Sequence, residues 1–120
     1  MAGAYDAFAN FRMNGHSVIL TGGAQNIGAA IAKPLAGAGA SVMIADLNGE
    51  KAKETAAAIA KATGQACLGM ACDVTKTDQI DAVVAATVKA FGGISTLVNN
   101  VGWGARHDDP AMIDDDAFVA

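Results

Sequence analysis

The residues most suited to chemistry form a glycine-rich stretch from Thr21 to Gly28. It follows the apolar run at 17–20 and opens an alanine-rich stretch that is typical of a helix. The first N–H groups of a helix have no partner within the helix, and the helix dipole adds partial positive charge, so such a turn can bind an anion. Glycine also lets a phosphate approach the backbone without meeting a Cβ. The pattern favours the pyrophosphate of a dinucleotide as the ligand.

The glycines alone leave other interpretations of this stretch open. The spacing of Gly23 and Gly28 also matches a P-loop. Ala29 and Ala30 stand where that motif has Lys and Ser or Thr, so we do not expect a nucleoside triphosphate site. A turn that serves only to pack a strand against a helix remains an alternative at this point.

A carboxylate stands where the ribose of a dinucleotide would be recognised. Asp46 lies eighteen residues after Gly28, at the end of the apolar run 41–45. A carboxylate in that place accepts hydrogen bonds from the adenosine ribose hydroxyls and repels a 2′-phosphate. Because no Lys or Arg lies within the turn or beside Asp46, we expect NAD(H) to be preferred over NADP(H).

Four apolar runs predict the strands that position these residues. Continuous apolar character is typical of strands that are buried on both faces of a parallel sheet. The runs are residues 17–20, 41–45, 66–72 and 94–98. Because a helical stretch separates each consecutive pair, we predict an α/β, Rossmann-like fold. It would be a doubly wound parallel sheet with strand order 3-2-1-4 in three α/β/α layers.

The helical stretches carry their own boundary signals. Pro34 lies well inside the first stretch and predicts a kink or an early end there. Asn48 is expected to cap the start of the second. The segment Thr75-x-x-Asp78 resembles a capping box at the start of the third, with Asp in place of the usual Glu or Gln.

Composition excludes several classes of protein. A length of 120 residues, with 52% hydrophobic and 17% charged residues, indicates one globular domain at most. The net charge is −4 and the basic residues are scattered, so we expect no nucleic-acid partner. No apolar stretch is long enough to cross a bilayer and the first residues do not resemble a signal peptide. We therefore expect a cytoplasmic chain without a membrane partner.

The two cysteines and one histidine cluster are not expected to form sites. Cys67 and Cys72 are five residues apart in one predicted strand. That spacing places them on opposite faces, about 16 Å apart, too far for a disulfide. Neither has a His at metal-ligand spacing, so we expect two buried, inert thiols and no metal site. His107, beside Asp108 and Asp109, more simply belongs to a solvated loop.

Four segments occur in the order and at the spacings of a known family. They are Thr21-Gly22-x-x-x-Asn26-x-Gly28, Asp46, Cys72-Asp73-Val74 and Leu97-Val98-Asn99-Asn100-Val101-Gly102. Together they resemble the TGxxxGxG turn, the acidic second-strand end, the adenine-contacting Asp and the NNAG segment of the short-chain dehydrogenase/reductase family. The resemblance covers about residues 14–120, which would be the NAD-binding Rossmann domain after an N-terminal arm, 1–13.

The resemblance implies a contact with NAD for each matched residue. The implied contacts are Gly22, Gly23, Asn26, Ile27 and Gly28 at the pyrophosphate, Asp46 and Leu47 at the adenosine ribose, Asp73 and Val74 at the adenine, and Asn100, Val101 and Gly102 beneath the cofactor. Two positions depart from the family pattern. Asn26 replaces the middle glycine, and Asn tolerates the left-handed conformation best after Gly. Val101 replaces Ala and adds bulk near the cofactor.

The family's hydride-transfer residues have no counterpart in this sequence. They are a Ser, an Asn and a Tyr-x-x-x-Lys pair in which Lys lowers the pKa of the Tyr acid/base. Here the one tyrosine, Tyr5, lies in the arm, and no lysine follows Lys89. We therefore expect a domain truncated before the catalytic half, without activity by itself. The resemblance implies an NAD-dependent oxidoreductase for a secondary alcohol or ketone, with hydroxysteroid and 3-oxoacyl compounds as candidate small-molecule substrates.

Two functions of other classes stay open at this point. One is a non-catalytic module that binds NAD. The other is a methyltransferase that uses S-adenosylmethionine, because such enzymes also pair a glycine turn with an acidic residue after the second strand. The segments Asp73-Val74 and Asn99-Asn100-Val101-Gly102 match the dehydrogenases better.

The fourth predicted strand also suggests self-association. Residues 94–98 would form an apolar edge without a neighbour, and exposed strand edges pair with other chains. We therefore expect a homo-oligomer, or association through this edge. A size measurement that shows a well-folded monomer would contradict this expectation.

Overall fold

The computed structural model describes residues 5–102, and its strands and helices alternate as predicted. A short 3₁₀ helix, Ala9–Phe11, precedes the first strand. The remaining elements are β1 Ser17–Thr21, α1 Asn26–Gly37, β2 Ser41–Asp46, α2 Gly49–Thr63, β3 Cys67–Ala71, α3 Thr77–Phe91 and β4 Thr96–Asn99. The predicted division into an arm, 1–13, and a domain, 14–120, stays a prediction.

The four strands form one parallel sheet in the order β3-β2-β1-β4, which confirms the predicted fold class and order. β1 lies in the middle, with Leu20 in register with Ile44 of β2 and with Val98 of β4. Since all four strands run in the same direction, their carboxyl ends meet at one edge of the sheet. The segments after the strands are therefore brought together at that edge.

Helices cover both faces of this sheet. Successive side chains of a strand point to opposite faces. Val18 and Leu20 of β1 belong to a core cluster with residues of α1 and α2, whereas Ile19 belongs to a second cluster with Val83 of α3. The alternation produces the three layers that the continuous apolar strands predict.

The two cysteines lie on opposite faces of the sheet, as their spacing predicts. Cys67 belongs to the cluster on the α1 and α2 side, and Cys72 belongs to the cluster on the α3 side. Both are buried free thiols. Burial raises the pKa of Cys67 to about 11, so this thiol stays protonated at neutral pH.

Of the three predicted helix signals one is confirmed, one is wrong, and the one at Pro34 is wrong in part. α1 does not end early at Pro34, which is exposed, but continues to Gly37, and the alternative of a kink stays a prediction. Asn48 caps α2 as predicted, because its side-chain oxygen accepts a hydrogen bond from the Lys51 N–H at 3.0 Å. The Thr75 capping box does not form. The N-cap of α3 is Lys76, whose side chain has no acceptor and makes no cap bond, and the Thr75 hydroxyl donates to Asp73.

Within residues 5–102, no helix is long and apolar enough to cross a bilayer.

The fourth strand lies at one edge of the sheet that these residues form. β4 begins at Thr96, two residues later than predicted. Leu97 in β4 is 57% exposed. Association through this edge stays a prediction.

α2 packs closely against β3, and Gly69 is the residue that permits this approach. A Cβ at Gly69 would overlap the carbonyl group of Ala52 and lie 2.6 Å from the backbone nitrogen of Lys53. These atoms belong to the backbone of α2, so no side-chain rotation could make room. Gly93, in the segment after α3, has no atom within 4 Å of the same position.

We expect Gly69→Ala to destabilise the protein by about 1–3 kcal/mol, because the added methyl group forces α2 away from the sheet. Gly93→Ala is the matched control and is expected to be neutral or slightly stabilising, since it only restricts the unfolded chain. Urea unfolding followed by circular dichroism measures both. Equal midpoints for the two variants would show that the close approach at Gly69 is not required.

Candidate functional site

Side chains at Gly22 or Gly28 would crowd neighbouring atoms in the turn between β1 and α1. Gly22 has a φ of +69°, and a Cβ there would lie 3.2 Å from Cγ2 of Val101. At Gly28, a Cβ would overlap the carbonyl oxygen of Gly22 and lie 2.7 Å from the Cα of Gly23. The first turn of α1 therefore packs directly against the end of β1. This close approach is what a dinucleotide-binding turn requires.

Asn26 adopts the conformation expected of a residue that replaces a glycine. Its φ is +55°, and it is the one non-glycine residue with a positive φ among residues 5–102. Asn tolerates the left-handed region better than most residues because its short polar side chain can hydrogen-bond to the nearby backbone. The turn thus keeps its shape without the middle glycine of the family pattern.

Within residues 5–102, the N-terminus of α1 lacks the side-chain cap and the acidic residue that α2 has. Gln25, the N-cap of α1, makes no side-chain cap bond, and the first turn contains no acidic residue. α2 has both features, because Asn48 caps it and Glu50 lies in its first turn. The first N–H groups of α1 are therefore suited to an external anion such as a phosphate.

Asp46 lies at the end of β2 and contacts the glycine turn directly. Its Oδ2 accepts a hydrogen bond from the Ala24 N–H at 3.1 Å, and its Oδ1 accepts one from the Asn48 N–H at 2.9 Å. Each carboxylate oxygen has a second acceptor site. Asp46 can therefore support the turn and still accept hydrogen bonds from ribose hydroxyls.

Asn100 joins the end of β4 to the end of β1 on the other side of the turn. Its Nδ2 donates to the Gly22 carbonyl at 3.0 Å, and its backbone N–H donates to the Thr21 hydroxyl at 3.2 Å. The Thr21 hydroxyl in turn donates to the Val98 carbonyl at 3.4 Å. These bonds fix the position of Gly22 relative to the segment that continues to Val101.

Asp73 follows β3 and is held by a local network. Its Oδ1 accepts hydrogen bonds from the Thr75 hydroxyl at 2.7 Å and from the Thr75 N–H at 3.0 Å. Its backbone N–H donates to Oε1 of Gln79 at 2.7 Å. The two bonds from Thr75, the hydroxyl bond first, lower the pKa of the Asp73 carboxyl group. The carboxylate is therefore ionised at neutral pH, and the half-buried Val74 beside it is held in place.

Apolar side chains are exposed among these polar groups. Ile27 at the start of α1 is 71% exposed, Leu47 after β2 is 75% exposed, and Val101 after β4 is 48% exposed. All three follow strand ends at the same edge of the sheet, where Gly102 also lies. Exposed apolar side chains in one region often mark a ligand surface. The edge thus offers hydrogen-bonding groups together with apolar contacts, as a nucleotide with flat rings would need.

The part of the chain that the structure describes shows no cluster of metal-ligating side chains. Residues 5–102 contain no group of three or more His, Cys, Asp or Glu side chains that could hold a metal ion. His107, Asp108 and Asp109 lie outside the described residues, so the expectation about them stays a prediction. The site consists of backbone amides, two carboxylates and apolar side chains.

The comparison with known families identifies the chain. A family model described as short chain dehydrogenase matches residues 16–119. The chain belongs to the short-chain dehydrogenase/reductase family. This membership confirms the resemblance that the four sequence segments indicate, and it does not favour the methyltransferase or the non-catalytic module.

Individual members of the short-chain dehydrogenase/reductase family agree with this assignment. The chain is 44% identical over 106 residues to 4-formylbenzenesulfonate dehydrogenase of Comamonas testosteroni. Among solved structures it is similar to a hydroxysteroid dehydrogenase from Escherichia coli, with a TM-score of 0.77 and 32% identity over 87% of this chain. It is also similar to L-sorbose reductase from Gluconobacter frateurii, solved with NADPH and L-sorbose, with a TM-score of 0.76 and 30% identity over 88% of this chain.

The chain spans less than half the length of these relatives. The matched region covers 42% of the Comamonas dehydrogenase, 45% of the hydroxysteroid dehydrogenase and 40% of the sorbose reductase. The shared fold therefore extends over the four strands and three helices described above. Fold and family membership are shown for this region.

Three residues of the site were not found by sequence reasoning. Ala24 provides backbone groups that bond to Asp46 and to Thr55, whose hydroxyl donates to the Ala24 carbonyl at 2.5 Å. Gln79 holds the backbone of Asp73. No spacing rule indicates Thr55, because it lies 31 residues from Ala24. Gln79 could have been found, since it stands one residue after the Asp of the supposed capping box.

We expect Thr75→Val to raise the pKa of Asp73 towards the usual range of an aspartate, because the hydroxyl bond is the largest cause of its lowering. A lowered carboxyl pKa stabilises the folded protein above the unfolded-state pKa, and this contribution is lost as the pH falls through the folded-state value. The stability difference between wild type and Thr75→Val should therefore shrink on acidification. Carbon-13 NMR of the Asp73 carboxyl group against pH measures the pKa directly.

Thr77→Val is the matched control, since Thr77 is an exposed threonine at the start of α3. It is expected to leave the titration of Asp73 unchanged. If Asp73 titrates at the same pH in wild type and in Thr75→Val, the Thr75 hydroxyl is not responsible for the lowered pKa.

Proposed function

We propose that this chain binds NAD(H) and forms the dinucleotide-binding part of an oxidoreductase that interconverts a secondary alcohol and a ketone. The proposal rests on one observation, that a helix N-terminus and a carboxylate lie together at the carboxyl ends of the strands. The uncapped N-terminus of α1 begins at the glycine turn, and the Asp46 carboxylate bonds to that same turn. An anion site and a ribose acceptor thus lie side by side, as a dinucleotide requires.

Each group at this edge has a defined part in the proposal. The first amides of α1 donate to the pyrophosphate, and Gly28 keeps the helix close enough for that contact. Asp46 accepts hydrogen bonds from the adenosine ribose, with Leu47 against the sugar. Asp73 and Val74 flank the adenine. Asn100, through its bond to Gly22, holds the segment on which the cofactor rests.

The preference for NAD over NADP is supported by the charges near Asp46. A 2′-phosphate on the ribose would meet the Asp46 carboxylate, and no Lys or Arg occurs at 21–28 or next to Asp46. Lys51, in the first turns of α2, pairs with Glu54 at 3.5 Å. Since the related sorbose reductase was solved with NADPH, family membership does not decide between the two cofactors, and the proposed preference rests on the local charges at position 46.

A bound nicotinamide cofactor would donate a hydride to the ketone carbon in its reduced form, or accept one from the alcohol carbon in its oxidised form. The part proposed for residues 5–102 is to bind the dinucleotide and to fix its orientation. Tyr5, the one tyrosine of the sequence, is 86% exposed ahead of the first strand and is not proposed as an acid/base. The similarity to a hydroxysteroid dehydrogenase supports a hydroxysteroid as one candidate substrate. We propose no activity for the 120 residues by themselves.

We expect the chain to bind NADH at least about tenfold more tightly than NADPH, because the Asp46 carboxylate repels the 2′-phosphate. Asp46→Asn keeps an acceptor oxygen but removes the charge, so it should reduce this preference by about tenfold. Isothermal titration calorimetry measures both affinities, with S-adenosylmethionine as a ligand that should not bind. The matched control is Asp78→Asn, which removes an exposed carboxylate from the first turn of α3 and should change neither affinity.

Two results would contradict the proposal at different levels. Equal binding of NADPH and NADH by the wild type would overturn the NAD preference. A folded chain that binds neither dinucleotide would overturn the assignment of the site itself.

A further inference from the structure

The centre of the glycine turn is held by two bonds that reach it from the β2–α2 unit. Ala24, which is 1% exposed, donates its N–H to Asp46 at the end of β2. Its carbonyl oxygen accepts a hydrogen bond from the Thr55 hydroxyl in α2 at 2.5 Å. Both backbone groups of this one residue are therefore paired with side chains, although neither partner is close to it in sequence.

Thr55 behaves differently from the other threonines that make side-chain bonds inside the helices described. The hydroxyls of Thr63 and Thr87 donate to the carbonyl oxygen four residues earlier in their own helix, Ile59 and Val83 respectively. Such a local bond is the usual outcome for a helical threonine. Thr55 instead crosses to another segment of the chain. Its bond therefore links two elements and does more than satisfy the hydroxyl group.

The two supports of Ala24 are connected to each other. Asp46 also accepts the Asn48 N–H, and Asn48 caps α2 by accepting the Lys51 N–H. Thr55 stands one turn further along the same helix. The turn is thus attached to the start of α2 through both sides of the Ala24 residue, so the orientation of its peptide groups follows the position of that helix.

We infer that Thr55 is a positioning residue of the dinucleotide site, a role that rests on the proposed function. Its hydroxyl holds the Ala24 carbonyl towards α2 and so fixes the turn whose following amides, at Asn26 and Ile27, meet the pyrophosphate. A carbonyl oxygen left without this donor would be buried and unpaired, and the turn would rearrange to reach a new donor. The amides of α1 would then lose their alignment with the phosphates.

The test compares Thr55→Val, which removes the hydroxyl and keeps the shape, with Thr87→Val, which removes a hydroxyl bonded only within its own helix. NADH affinity is measured by calorimetry at a temperature at which every variant is folded. Thr55→Val should weaken NADH binding about five- to tenfold, the change expected for one hydrogen bond. Thr55→Ser should restore binding to within about twofold of the wild type, and Thr87→Val should leave it within the same range.

A second measurement needs no ligand and separates this inference from the proposed function. Amide NMR spectra of the unliganded variants should show shifts from Gly22 to Ile27 in Thr55→Val and none there in Thr87→Val. Thr55→Ala takes the place of Thr55→Val if the latter does not fold. Unchanged turn amides, or unchanged NADH affinity with a lower melting temperature, would show that the Thr55 bond only stabilises the fold. Shifted turn amides in a protein whose wild type binds no NADH would overturn the proposed function while leaving the support of the turn intact.

Discussion

The contact between Gly28 and the Gly22 carbonyl is the constraint on which the rest of the site depends. No side chain fits between these two backbones, so α1 begins immediately beside the end of β1. That closeness determines where the first helical amides lie, at a helix start whose N-cap residue, Gln25, makes no side-chain cap bond. A residue larger than glycine would move the start of α1 outward. The helical amides would then no longer lie at the same turn as the hydrogen bonds with Asn100 and Asp46.

The position of β1 in the sheet explains why the supports come from both sides. β1 has β2 on one side and β4 on the other. The chain passes from β1 to β2 and β3 on the first side, and later forms β4 on the opposite side of β1. Ligands of open α/β sheets bind at such a switch point, outside the carboxyl ends of the strands. Asp46 reaches the turn from the β2 side and Asn100 from the β4 side. The strand order therefore places one supporting side chain on each side of the glycine turn.

The fold and most of the strand ends could be predicted from the sequence because their signals are local. Apolar runs of the right length, the glycine turn and the Asn48 cap each depend on neighbouring residues. The capping box at Thr75 is wrong because Lys76, one residue later, is the N-cap of α3, and Thr75 belongs to the preceding turn, where it bonds to Asp73. Pro34 failed as an end signal because it lies on the exposed side of α1, one turn from the end, where one missing backbone bond costs little. The bond from Thr55 to Ala24 could not be predicted, since it exists only after α2 has docked.

The two hydrogen bonds that Asp46 accepts from Ala24 and Asn48 have a consequence for how cofactor preference evolves in this chain. A substitution at position 46 by a side chain without an oxygen atom would remove the acceptor for two backbone N–H groups, that of Ala24 in the glycine turn and that of Asn48 at the start of α2. Under the proposed function, a gain at the ribose from such a substitution would be coupled to a loss at the pyrophosphate, and the two effects would not be additive. A lineage that exchanges its cofactor through such a substitution would need a second one that supplies a new acceptor, whereas Asp46→Asn, which keeps an oxygen, would be an easier first step.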